Sequence, residues 1–95
     1  MIVQVFGDDC QMALAISQAE NGTRQCDRVS KPNTNGSYDI GVFQINTIHT
    51  PSKGSIKQLK ECMHNIKVAK QIFDAQGWNP WSVYKSGKYK QYVRI

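Results

Sequence analysis

Two carboxylates in this chain occupy positions where a carboxylate can do more than face water. Glu20 follows the run Met12-Ala13-Leu14-Ala15-Ile16-Ser17-Gln18-Ala19. On a helix it falls over Ile16, four residues back, and Ala13, seven back. A carboxyl group at the end of an apolar stripe loses solvent, and the C-terminal end of a helix disfavours negative charge. Both effects raise its pKa, and an acid still protonated near neutral pH can serve as a general acid. The plain alternative is a last-turn Glu that reaches water. Asp39 is the second candidate. In an extended Tyr38–Val42 segment, Asp39 and Gly41 share one face while Ile40 and Val42 share the other. Gly41 carries no side chain, so a ligand has room beside Asp39; a turn-flanking Asp is the alternative. A helix-borne acid facing a strand carboxylate is the arrangement of a two-carboxylate glycosidase.

The elements that must position these groups can be read from punctuation and period. A first helix opens at Asp8 or Asp9, with Gln11 as capping-box partner, and stops at Asn21-Gly22. A polar segment from Thr23 to Ser37 contains Pro32 and the turn pair Asn35-Gly36. Around that pair the pattern predicts a short β-hairpin whose second strand is Tyr38–Val42. Beyond Pro51 and Gly54 a long helix is expected from Ser55 to about Ala75. Ile56, Leu59, Met63, Ile66, Ala69/Lys70 and Phe73 would form its buried stripe, and Gly77 would end it. The tail from Trp78 to Ile95 is aromatic and basic, with one more short helix near Trp81–Tyr84; Trp78 reads as core or rim.

Ninety-five residues allow one domain. They exclude a two-domain dinucleotide enzyme and a solenoid of repeats. A chain this short buries about 60–65% of its unfolded surface, so stability margins are thin. With 40% hydrophobic and 20% charged residues the chain is too apolar for disorder. No apolar run approaches the ~20 residues of a membrane span. Met1 to Gly7 lacks the basic start and the length of a signal peptide, which leaves another export route, a removed leader or a cytoplasmic protein.

The formal charge of +5 favours polyanionic partners such as nucleic acid, anionic lipid or an acidic wall polymer. Five Lys face one Glu from Lys53 to Lys70, and from Lys85 to Arg94 three Lys and one Arg meet no carboxylate. A merely solubilising basic surface accounts for the composition equally well. Cys10, Cys26 and Cys62 permit one disulfide with a thiol left over, or three thiols. No Cys or His spacing matches a zinc pair, and His49 and His64 stand apart, so no metal is expected.

Two segments carry a family resemblance. The run Ala15-Ile16-Ser17-Gln18-Ala19-Glu20-Asn21-Gly22, paired with Asn33-Thr34-Asn35-Gly36-Ser37-Tyr38-Asp39-Ile40-Gly41-Val42-Phe43-Gln44-Ile45-Asn46, resembles the lysozyme superfamily. It is similar both to chicken-type lysozymes and to small SLT-type lytic transglycosylases. The likeness is strong from Ala13 to Asn46. It continues more weakly through Asn65-Ile66 with Ala69 and through Asn79-Pro80-Trp81-Ser82-Val83-Tyr84.

The resemblance implies an α+β, mainly helical fold with a short hairpin beside a cleft, and residues 1–95 as one catalytic domain. It implies Glu20 as general acid/base and Asp39 as the second carboxylate of the chicken-type branch. Gln44 and Asn46 would line the cleft floor, Asn33 would stand near the second carboxylate, and Trp81 would pack against Glu20. Tyr84 would follow one turn later; if the segment is helical, Trp81 and Tyr84 share a face and make an aromatic wall for sugar rings. Since the animal branch relies on several disulfides, Cys26 is expected to pair with Cys62 across a loop of about 35 residues, worth about 3–4 kcal/mol. Cys10 would then be free and buried.

The implied activity is cleavage of the β-1,4 bond between N-acetylmuramic acid and N-acetylglucosamine in peptidoglycan, with no metal or organic cofactor. On resemblance to the small bacterial members the expected route is that of a lytic transglycosylase, giving a 1,6-anhydro product. The alternative is a hydrolytic lysozyme using Glu20 and Asp39, and the presence of Asp39 is the main argument for it. The partner is the glycan strand, met by a monomer at a periplasmic, cell-wall or extracellular site. Two other readings differ in class: a non-catalytic glycan-binding module, and a nucleic-acid binder using Lys85, Lys88, Lys90 and Arg94 interleaved with Tyr84, Tyr89 and Tyr92. The basic tail suits anionic wall polymers as well, and nucleic acid is not the expected partner.

Overall fold

The computed structural model describes residues 1–22, 25–50 and 52–93. Thr23, Arg24, Pro51, Arg94 and Ile95 lie outside the described residues, and with them the start of the polar segment, the proline before the long helix and the last cation of the tail. The chain opens with a helix absent from the sequence expectations, α1 (Ile2–Phe6). Five residues cannot hold a helix alone. This one forms because Ile2 and Phe6, four apart, are both buried, and Phe6 stacks on Trp78 with ring centroids 5.5 Å apart.

A 3₁₀ turn (Gly7–Asp9) leads into α2 (Cys10–Glu20). Asp9 precedes α2 but its side chain makes no cap bond, so the expected capping box at Asp8 and Gln11 does not form. Ala13, Ala15, Ile16 and Ser17 turn inward, and Asn21 closes the helix at the expected place.

The hairpin differs from expectation. Asn35-Gly36 does make a turn, with the Gly36 amide donating to the Asn33 carbonyl at 2.9 Å. Across it, however, the described residues make one isolated bridge, Val29 with Ile40, and no named strand pair. The two-stranded sheet lies on the other side of Asp39: β1 (Asp39–Ile40) pairs antiparallel with β2 (Ile45–Asn46), Asp39 opposite Asn46 and Ile40 opposite Ile45. The physical reason is that Pro32 offers no N–H and that Asn33, Asn35 and Ser37 bond one another and local backbone. The strand also ends at Ile40, not Val42, because Gly41 turns left-handed with φ 82°.

The long helix is two helices. α3 (Ile56–Leu59) carries the capping box, Ser55 accepting from the Gln58 amide while Gln58 accepts from the Ser55 amide. The chain breaks at Lys60 and Glu61, and α4 (Cys62–Gln76) then runs to Gly77. Only part of the expected stripe is buried. Leu59, Ile66 and Ala69 are inside with Asn65, Val68 and Ile72, whereas Ile56 is 47% exposed and Met63 and Phe73 are half-buried. The break rotates α3 relative to α4, so one period cannot serve both. Last come α5 (Ser82–Lys85) and a 3₁₀ turn (Lys88–Tyr92) that packs along α2. Trp78 is core, between Phe73, Trp81 and Phe6.

Cys26 and Cys62 form a disulfide, joining the segment after α2 to the start of α4. Cys10 carries a free thiol, half-buried rather than buried as expected. Among the described residues no helix is long and apolar enough to cross a membrane.

Candidate active site

Glu20 ends α2 with its carboxyl half-buried. Burial, with the charge of Asp39 second, lifts its pKa from 4.5 to about 7. Three groups oppose the shift: Lys88, the backbone N–H of Val83 in α5, and Arg28. The apolar stripe beneath Glu20 had indicated the direction, and at neutral pH a large fraction of this group retains its proton.

Asp39 in β1 is held from two sides. Its Oδ1 accepts from Asn46 Nδ2 at 3.0 Å and its Oδ2 from Asn33 Nδ2 at 3.4 Å. The amide of Asn46 also reaches Ser37 Oγ at 3.0 Å, as does that of Asn33 at 3.1 Å. The side chain thus has no freedom to swing, and a negative charge there meets donors on both oxygens.

Glu20 and Asp39 open into one cavity of about 510 Å³, large enough for a small ligand. Gln44, Ile45, Asn46, Ile48 and His49 form one wall; Ile72, Gln76, Pro80, Trp81 and Ser82 form the other. Trp81 is buried, donates from its indole N–H to the Phe43 carbonyl at 3.0 Å and meets the Phe43 ring edge-on. Gln44 sits in a left-handed conformation, φ 50°, and its amide donates to the Gly41 carbonyl at 2.9 Å. That bond spends part of its capacity on the turn.

Five of the seven expected site residues therefore meet at one cavity: Glu20, Asp39, Gln44, Asn46 and Trp81. Asn33 lies behind Asp39, not on the lining. Tyr84 is also off the lining and stacks on Tyr89, centroids 5.2 Å apart. The aromatic wall of Trp81 and Tyr84 does not form, because Trp81 precedes the four-residue helix and turns into the core. The same stack occupies two of the tail's three tyrosines, so they are not free as a base-stacking platform.

The space beside Asp39 that Gly41 was expected to leave for a ligand is filled by protein. A Cβ on Gly41 would collide with Asn65 Nδ2 and lie 2.8 Å from the Leu59 carbonyl. Residues missed from sequence include Asn21 and Asn65, both fully buried, and the cleft-lip pair Ile48 and His49. An Asn within the apolar face of α4 was the available signal for Asn65. Among the described residues no three His, Cys, Asp or Glu side chains cluster as a metal site would require.

The family model described as a lysozyme-like domain matches residues 3–83. Lysozyme 1 of Musca domestica is 34% identical over 71 residues, covering 60% of this chain and 50% of its own. Lysozyme X of Drosophila melanogaster is 30% identical over 69 residues, covering 59% of this chain and 49% of its own. The chain thus spans about half the length of the curated relatives it matches. A lysozyme structure from Litopenaeus vannamei superposes with a TM-score of 0.71 at 21% identity, over 90% of this chain and 80% of that one, which shows a shared fold. With the family model spanning α2, the sheet, α4 and Trp81, this chain belongs to the lysozyme-like domain family.

Proposed function

We infer that the chain cleaves the β-1,4 bond between N-acetylmuramic acid and N-acetylglucosamine in peptidoglycan, with residues 1–95 acting as one catalytic domain. The observation that carries this reading is Glu20, its pKa raised to about 7, sharing one cavity with an anchored Asp39. Glu20 protonates the glycosidic oxygen as the bond breaks, and an oxocarbenium-like sugar remains. Asp39, fixed by Asn33 and Asn46, sits as the fixed negative charge that such a cation needs. Water then attacks the anomeric carbon from the face the leaving sugar has vacated, Glu20, now a carboxylate, takes the proton from that water, and hydrolysis ends with retention. Gln44 is placed on the lining to meet an N-acetyl group, whereas the amide of Asn46 serves the cleft by holding Asp39. Trp81 lines the same cavity as Glu20 with an apolar ring.

The anchoring of Asp39 favours hydrolysis over the transglycosylase exit that resemblance to the small bacterial enzymes favours. In that second reading Glu20 takes the proton of the muramyl 6-hydroxyl, which attacks the anomeric carbon and leaves a 1,6-anhydro end. That route needs Glu20 and no second carboxylate. Digestion of purified sacculi followed by mass spectrometry of the fragments separates the two: reducing ends support hydrolysis, anhydro ends the alternative. Asp39→Asn should remove at least 10-fold of kcat under hydrolysis and little under the anhydro route. A wild type that binds glycan without cleaving it would leave a non-catalytic module. Both carboxylates come from one chain, which supports action as a monomer, and a glycan substrate would be met at a periplasmic, cell-wall or extracellular site.

A further inference from the structure

The residue after the acid is fully buried, and its side chain faces the other carboxylate's strand. Asn21 follows Glu20 directly and caps α2, its own amide donating to the Ser17 carbonyl at 2.8 Å. Its Nδ2 donates to the Gln25 carbonyl at 2.8 Å and to the Gly41 carbonyl at 3.2 Å, while its Oδ1 accepts from Arg28 Nη1 at 3.4 Å. Gly41 stands two residues beyond Asp39, at the left-handed corner that ends β1. The path from one carboxylate-bearing residue to the other is therefore short: Glu20, Asn21, one hydrogen bond, Gly41, Ile40, Asp39.

Other contacts remove the slack from that path. The Gly41 amide donates to the Arg28 carbonyl at 2.7 Å, and Gln44 donates to the Gly41 carbonyl from outside. Asn65 holds the turn from α4, donating to the Ile40 carbonyl at 2.8 Å and accepting from the Phe43 amide at 3.0 Å. Asn65 reaches only the sheet side. Of the side-chain bonds just described, only those of Asn21 join the catalytic helix to the Asp39 turn.

The geometry points to Asn21 as a positioning residue that sets the separation of Glu20 and Asp39. This inference rests on the two-carboxylate reading above. Loss of the Asn21 amide frees the Asp39 turn to move away from the end of α2. Water then enters, and the charge of Asp39 acts on Glu20 from farther off. Lys88 from the 3₁₀ turn, Arg28 from the segment after α2 and the Val83 amide of α5 remain to favour the carboxylate. Lys85 of α5 is exposed, and Asp8 and Asp9 lie at the opposite end of α2.

Asn21→Ser, too short to span to Gly41, tests this in the full chain against Val68→Ala, which opens a void beneath α4 at a buried residue that is not on the cavity lining. Carbon-detected NMR titration of Glu20 needs no substrate. The expected result is a Glu20 midpoint at least half a pH unit below that of the wild type in Asn21→Ser and unchanged in Val68→Ala. On sacculi, kcat should fall at least 10-fold with KM within 3-fold, both measured below each variant's Tm. Equal Glu20 midpoints in Asn21→Ser and wild type, with loss of Tm alone, would overturn the proposal. A wild type without turnover would overturn the enzymatic reading, and the NMR midpoints would then decide the role of Asn21 by themselves.

Discussion

Glu20→Gln should trade activity for stability, and the size of the trade depends on pH. Gln keeps the shape and can still accept from the Val83 amide, but it carries neither a proton to give nor a charge to bury. A pKa moved from 4.5 to about 7 corresponds to about 3 kcal/mol, at ~1.4 kcal/mol per tenfold. The carboxyl is only half-buried, so solvent screening reduces the recoverable part to about 1–2 kcal/mol. The folded pKa lies above the unfolded one, so the folded state binds the extra proton between these values. Stability from this group is complete below about pH 4.5 and is lost as pH rises through about 7. Wild type and Glu20→Gln should therefore unfold at nearly the same temperature at pH 4. At pH 8 the variant should melt about 5–15 °C higher, since 1 kcal/mol moves a domain of this size by about 4–8 °C. Turnover of sacculi should fall by 10²-fold or more. Paired thermal melts at the two pH values read the effect directly. An equal Tm difference at pH 4 and pH 8 would show that Glu20 is not held against its charge, and the acid assignment would go with it.

The same acid predicts that the alkaline limb of the pH–rate profile for sacculus cleavage falls with a midpoint near pH 7 and moves to lower pH in Asp39→Asn, because one of the two causes of the shift is removed. Gly41→Ala should cost about 3 kcal/mol, read by chemical denaturation, since its Cβ meets Asn65 and the Leu59 carbonyl at φ 82°. Reduction of the Cys26–Cys62 disulfide should lower stability by about 3–4 kcal/mol, while Cys10→Ser should leave it within about 0.5 kcal/mol.

Much of the site was legible in the chain because its signals are local. The apolar positions four and seven residues before Glu20 lie on one helix, and helical period alone puts that carboxyl at the edge of the core. The Cys26–Cys62 pairing and the placement of Gln44, Asn46 and Trp81 followed from resemblance rather than from spacing. Where the reading failed, the deciding contact was distant in sequence. Gly41 looked like open space beside Asp39, yet Asn65, twenty-four positions on, fills it. Tyr84 shares a nominal helix face with Trp81, but Tyr89 claims its ring.

By itself the sequence determined which side chains are candidates for the chemistry, where α2 and α4 end, and which residue types stand in the turn around Asp39. Period and capping act over a few residues, so a linear reading captures them. Only the tertiary structure decided that α1 exists, that the sheet forms after Asp39 rather than before it, and that Asn21 and Asn65 grip one turn from two helices. Those outcomes depend on buried amides finding partners twenty or more residues away, and an unsatisfied buried amide costs too much for any arrangement but one to persist.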